Sequence, residues 1–168
     1  MKKILIALVL IIIIGIPIYL LVKGYFNVKI EGKLEVGDKV PDFTMNSLNG
    51  EKISSKDYLG SIYLLVFFNT RCPDCLESLD NLKKSLNKQK DLEIKVLLVS
   101  KDNRKRTKKF VEENRINFSV FIDEEDLSRK KFKTIIIPSF FLINDEGILI
   151  DKIHGYVRRE NNEYAPFF

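Results

Sequence analysis

Ser61-Ile62-Tyr63-Leu64-Leu65-Val66-Phe67-Phe68, followed at once by Asn69-Thr70-Arg71-Cys72-Pro73-Asp74-Cys75-Leu76, is the stretch from which the fold can be read. An apolar run of this length, with no polar alternation, reads as a strand buried on both faces. Leu76, Leu79, Leu82 and Leu86 then recur at helical spacing. Pro73 suits the first helical position, because it has no N–H to leave unpaired and its φ is already helical. A strand running into a helix with Cys-x-x-Cys at the junction is the arrangement of a thiol–disulfide redox site. Cys72 then stands near the helix N-terminus, where unpaired N–H groups and the helix dipole favour a thiolate.

Blander readings of the pair carry less. A structural disulfide between residues this close constrains so short a loop that the chain-entropy model gives only about 2 kcal/mol. A structural zinc site takes four Cys or His ligands, and the chain has 2 cysteines and 1 histidine, His154. Two unrelated buried cysteines would not need this spacing at a helix start.

Working outward, Val40-Pro41-Asp42-Phe43 and Ser47-Leu48-Asn49-Gly50 read as an extended piece and a turn, and Lys52-Ile53-Ser54 as the return strand of a short hairpin. Beyond the helix Pro73–Lys88, Glu93–Ser100 is a second buried strand and Arg104–Asn114 a polar helix with Phe110 and Val111 inward. Phe118–Ile122 is a short strand and Glu124–Lys131 a helix. Ser139–Ile143 and Ile148–Tyr156 are strands joined by a turn at Asn144-Asp145-Glu146-Gly147. Alternating units of this kind predict an α/β fold: a mixed central sheet with parallel inner strands, helices on its faces, an N-terminal hairpin and antiparallel strands at the end.

The N-terminus reads differently. After Met1-Lys2-Lys3, Ile4 to Val22 carries no charge, long enough for a transmembrane helix. A cleaved signal peptide would have an apolar region of about 7–15 residues ending in a small-x-small site, which Leu20-Leu21-Val22-Lys23 does not offer. The expected organisation is an uncleaved anchor at 1–23, a linker at 24–35 and one domain at 36–168. The linker, fully extended, reaches roughly 40 Å. Lys2, Lys3 and Lys23 account for three of the 28 basic residues, so the rest carries 25 against 23 acidic ones. The high isoelectric point therefore does not argue for nucleic acid. The run Lys101, Arg104, Lys105, Arg106, Lys108 and Lys109 reads first as a solvated face, and as its sharper alternative as a contact for anionic head groups.

Together Val36-Gly37-Asp38, Pro41-Asp42-Phe43, Leu48-Asn49-Gly50, Phe67 through Cys75, and Ile137-Pro138-Ser139-Phe140-Phe141-Leu142-Ile143 with Gly147 resemble the thioredoxin-like proteins. More narrowly, the chain is similar to the membrane-anchored, extracytoplasmic disulfide reductases of the ResA/TlpA kind, over roughly Val36 to Val157. That resemblance implies Cys72 and Cys75 as the catalytic pair and a cis Ile137–Pro138 bond beside them. It also implies that Ile137 offers its N–H and C=O to an extended substrate segment. The implied partners are protein disulfides or dithiols, a membrane or extracytoplasmic electron donor, and the bilayer through residues 4–22. The implied location is a single-pass protein of the cell membrane with its domain outside the cytoplasm. No metal, nucleotide or flavin site is visible, so no cofactor is expected.

The chain departs from that family in places. Arg71 stands where a tryptophan usually precedes the first cysteine, although the aromatic Phe68 is kept. Arg71 favours the charged form of Cys72 and Asp74 opposes it; with Pro73 and Phe68 these are the residues expected to tune the site. Val66 replaces a buried acid that handles a proton, leaving Glu77 and Asp74 as candidates by nearness. Arg158–Phe168 is too short and polar for a full closing helix, so Tyr164, Pro166, Phe167 and Phe168 are expected as a stub. Two other functions stay in view. A peroxidase would need Pro-x-x-x-Thr/Ser-x-x-Cys, but the chain has Leu65 and Asn69 at those positions. A copper-delivery protein of this fold would space its cysteines by three residues and add a distal histidine, for which only His154 is available.

Overall fold

A computed structural model describes residues 34–88 and 93–155, together with the single residue Ile16. The chain divides into two compact units, Met1–Lys33 and Leu34–Phe168. The expected anchor lies, Ile16 apart, outside the described residues, as does the expected C-terminal stub. Among the described residues no helix is long and apolar enough to cross a membrane.

The second unit is built on one seven-stranded mixed sheet. Its strands are β1 (Thr44–Ser47), β2 (Lys52–Ser54), β3 (Tyr63–Phe68), β4 (Lys95–Ser100), β5 (Ser119–Ile122), β6 (Ser139–Ile143) and β7 (Leu149–His154), in the order β2-β1-β5-β4-β3-β6-β7. β3, β4 and β5 run parallel. β6 pairs antiparallel with β3, and β7 antiparallel with β6. At the other end the β1–β2 hairpin joins β5 antiparallel. Gly50 turns that hairpin at φ 90°, a conformation a side chain resists.

β3 is central, and its alternation splits the core in two. Tyr63, Leu65 and Phe67 point to one face, where Phe132 packs edge-on against Phe43, Phe67 and Phe141. Leu64, Val66 and Phe68 point to the other, under helix α1 (Pro73–Lys88) and helix α2 (Arg104–Glu113). Both faces are covered, which is why the run carries no polar residue. α1 buries Cys75, Ser78, Leu79 and Leu82. Leu76, expected on that stripe, is 40% exposed, because it stands one residue off the spacing that aligns Cys75 with Leu79.

Helix α3 is shorter than expected, only Leu127–Lys130 instead of Glu124–Lys131. Asp126 takes a left-handed conformation at φ 55°, which a continuing helix cannot contain. The Asp123 carboxylate then accepts the N–H groups of Leu127 and Ser128 and starts the helix late. Leu34 packs against the core, and Lys152 Nζ reaches both its carbonyl and Glu35 at 2.6 Å.

Candidate active site

The cysteine pair sits where β3 hands over to α1. Cys72 occupies the position just before the helix, and its sulfur accepts the Cys75 N–H at 3.2 Å, as a Ser or Asp cap would. The Cys72 carbonyl accepts the N–H of Leu76 at 3.2 Å. Cys72 is half-buried and Cys75 fully buried, and neither sulfur is in a disulfide. Burial pushes the Cys75 thiol far above its ordinary range; its hydrogen bond with the Cys72 sulfur adds to the rise, and the Asn69 backbone opposes it. The exposed Asp74 raises it slightly further.

The loop before Cys72 is held from outside. Asp102, at the end of β4, is 6% exposed. Its carboxylate accepts the Thr70 N–H at 2.8 Å, the Thr70 hydroxyl at 2.7 Å and the Arg106 guanidinium at 3.0 Å. Burial alone would raise the Asp102 pKa, but these donors together hold it below the usual carboxylate value. Arg71 reaches the same carboxylate at 3.8 Å, so the cation expected to act on Cys72 is also shared with Asp102.

Phe68 lies at 0% exposure in the same apolar cluster as Cys75, its ring tilted against Phe110 at 5.6 Å. Val66 belongs to that cluster too, so no carboxylate underlies the buried thiol from this position. The Ile137–Pro138 bond is cis, as the resemblance implied. Ser139, which follows it, pairs with Phe67 one residue before the end of β3. Ile137 and Cys72 both pack against this cluster. Among the described residues the Ile137 N–H and C=O make no backbone hydrogen bond.

Two site residues escaped the sequence reading, Thr70 and Asp102; further along α1, Ser78 is a fully buried hydroxyl without a hydrogen-bond partner among the described residues. The fall of charge on the strand-to-helix turn after β4 was the only available signal for Asp102. In the basic run, Arg104 donates to the Ser47 and Leu48 carbonyls at 2.6 and 2.7 Å, Arg106 pairs with Asp102, Lys101 with Asp126 and Ser128, and Lys109 with Glu113. Four of these six cations thus already have partners within the chain, the Lys109–Glu113 pair on the exposed surface, which leaves less free charge for anionic head groups. Among the described residues no group of three or more His, Cys, Asp and Glu is placed to hold a metal ion.

Residues 36–152 match the AhpC/TSA family. The thiol-disulfide oxidoreductase ResA of Bacillus thuringiensis subsp. konkukian is 30% identical over 157 residues, covering 93% of this chain and 90% of its own. A protein of Buchnera aphidicola described as peroxiredoxin bcp is 30% identical over 133 residues, covering 71% of this chain and 84% of its own. Among solved structures, one from Chlorobium tepidum described as a thiol:disulfide interchange protein DsbE superposes with a TM-score of 0.68. It is 25% identical and covers 78% of this chain and 92% of its own. The fold is thus thioredoxin-like, the activity is that of a thiol–disulfide oxidoreductase, and the chain belongs to the AhpC/TSA family.

Proposed function

We propose that this is a membrane-anchored enzyme that reduces protein disulfides outside the cytoplasm through Cys72 and Cys75. One observation carries the reading: Cys72 is only half-buried, its sulfur accepting an N–H at a helix start, while Cys75 is wholly buried with its thiol pushed up. Cys72 attacks as a thiolate, forms a mixed disulfide and releases one substrate sulfur as a thiolate. Cys75 then loses its proton and attacks Cys72. The second substrate thiolate leaves, and two electrons have passed to the substrate. A dithiol donor at or outside the membrane resets the pair. Ile137 and Pro138 receive the substrate backbone; Arg71, Pro73, Asp74 and Phe68 shape the site. Residues 1–23 anchor the chain, 24–35 link it and 36–168 form the catalytic domain.

Single substitutions test the assignment. Cys75→Ser retains a reactive thiol and accumulates covalent complexes with substrates on non-reducing gels, and Cys72→Ser accumulates none. Trapping only in Cys72→Ser would reverse the roles, and none in either would sink the exchange mechanism. A reduction potential near about −270 mV supports the reductase direction, and one near about −120 mV an oxidant. Full-length protein recovered cut after Val22 would remove the anchor from the proposal.

The bcp likeness favours a second reading, peroxide reduction at Cys72. Asn69 and Leu65 stand against it, and the Thr70 hydroxyl is already donated to Asp102. Peroxide consumption by the reduced chain decides between the two.

A further inference from the structure

One buried polar cluster has no part in the exchange steps. Thr134 and Ser139, at 4% and 0% exposure, meet His154 of β7 behind the loop that enters β6. Ser139 Oγ donates to the Ile136 carbonyl at 2.7 Å, and the Ile136 N–H donates to Thr134 Oγ1 at 3.2 Å. Both polar groups of the Ile136 backbone are thereby held by buried hydroxyls. His154 Nδ1 lies 2.9 Å from Ser139 Oγ and 3.4 Å from Thr134 Oγ1, and its ring stands edge-on to Phe141 at 5.5 Å.

The shortest contact to the Ile136 carbonyl, that of Ser139, sets the proton order. A serine hydroxyl has one hydrogen, and that of Ser139 is spent on the Ile136 carbonyl. Ser139 Oγ therefore accepts from its other neighbours. The Thr134 hydroxyl has one hydrogen and three acceptors in reach: Ser139 Oγ at 3.1 Å, the Ile136 carbonyl at 3.4 Å and His154 Nδ1 at 3.4 Å; with the Ser139 hydrogen on the nearer Ile136 carbonyl, His154 Nδ1 takes the donor's role towards Ser139 Oγ. The loop held in this way turns Ile135 and Ile136 outward at 73% and 50% exposure, directly ahead of Pro138. Two large apolar side chains presented to water on the segment that enters β6 suit a partner with an apolar surface.

We propose that His154, Ser139 and Thr134 form a positioning network. Donation from His154 Nδ1 fixes the Ile135–Ile137 loop in the shape that receives a protein substrate, so His154 sets substrate affinity without touching the substrate. The inference rests on the exchange site proposed above.

The test uses the full-length chain with insulin as the disulfide substrate and dithiothreitol as the donor. It reads KM, kcat, the alkylation rate of Cys72 and hydrogen exchange at the Ile136 amide. His154→Ala raises KM about three- to tenfold, the worth of one net hydrogen bond, and leaves kcat and alkylation unchanged. Asparagine places an N–H donor where Nδ1 stands, and aspartate places only an acceptor there. His154→Asn therefore restores KM and His154→Asp does not. The Ile136 amide exchanges faster in the Ala and Asp variants than in wild type or His154→Asn. An unchanged KM in His154→Ala, equal behaviour of Asn and Asp, or a parallel loss of alkylation and kcat overturns the proposal. If wild type does not reduce insulin, the exchange reading fails on that substrate, and amide exchange alone still decides the network: equal rates in all four proteins refute it.

Discussion

Asp102→Ala removes the acceptor that ties the cysteine loop to the end of β4. Thr70 loses the partner of its N–H and of its hydroxyl, and Arg106 loses an ion pair at 3.0 Å. Hydrogen bonds to a charged group are worth about 1.5–3 kcal/mol each, but they share one carboxylate and do not add. The Arg106 side chain is 45% exposed and can rehydrate, so its share is small. The two Thr70 bonds then set a cost of about 2–4 kcal/mol at pH 7. The pH dependence has a definite sign. The Asp102 carboxyl titrates below its ordinary value in the folded state, so its contribution is present above about pH 4, the unfolded value. It fades as pH falls through the lower folded value. Urea unfolding of wild type and Asp102→Ala should differ by a constant amount from about pH 8 to pH 5 and converge below about pH 4. Asp102→Asn, which keeps an acceptor but not the charge, should fall between. A cost under about 0.5 kcal/mol at pH 7, or a difference that persists unchanged in acid, would refute this account of the clamp.

Three further outcomes are expected. The Cys75 thiol titrates above its unfolded value, so its contribution to stability is complete below about pH 8.5 and is lost as pH rises; wild type should lose stability relative to Cys75→Ala in alkaline urea titrations. Ser78→Ala removes a buried hydroxyl with no partner among the described residues, and should be neutral or stabilise by up to about 1 kcal/mol in the same assay. Phe132→Ala empties the centre of a four-phenylalanine cluster and should cost about 3–5 kcal/mol.

The parts of this fold legible in the sequence were those with a local signature. β3 announced itself by a run with no polar residue, and α1 by Pro73 at its first position and leucines beyond. α3 was overdrawn because nothing local shows that Asp126 is left-handed or that the Asp123 carboxylate starts the helix. The cysteines and Pro138 stood out by spacing and resemblance. Asp102 did not, since its partner Thr70 is 32 residues away in the chain and an aspartate after a strand is ordinary. The basic run shows the same limit from the other side. Its charges are visible in sequence, but their partners, the Ser47 and Leu48 carbonyls and Asp126, are distant in the chain.

β6 runs antiparallel to β3, so the chain leaves β3 towards Cys72 at the same end where it enters β6 from Pro138. A ribosome makes these two halves at different times. A nascent chain that stops at Ile122 already holds both thiols and all of β3, but neither the loop that enters β6 nor the strand that covers one β3 edge. That edge, apolar along its whole length, is a template for pairing with other chains, and long-range pairings of this kind form late. The species most prone to cross-linking and aggregation is thus the unfinished molecule, and delay in synthesis between Ile122 and Ser139 should be tolerated worst.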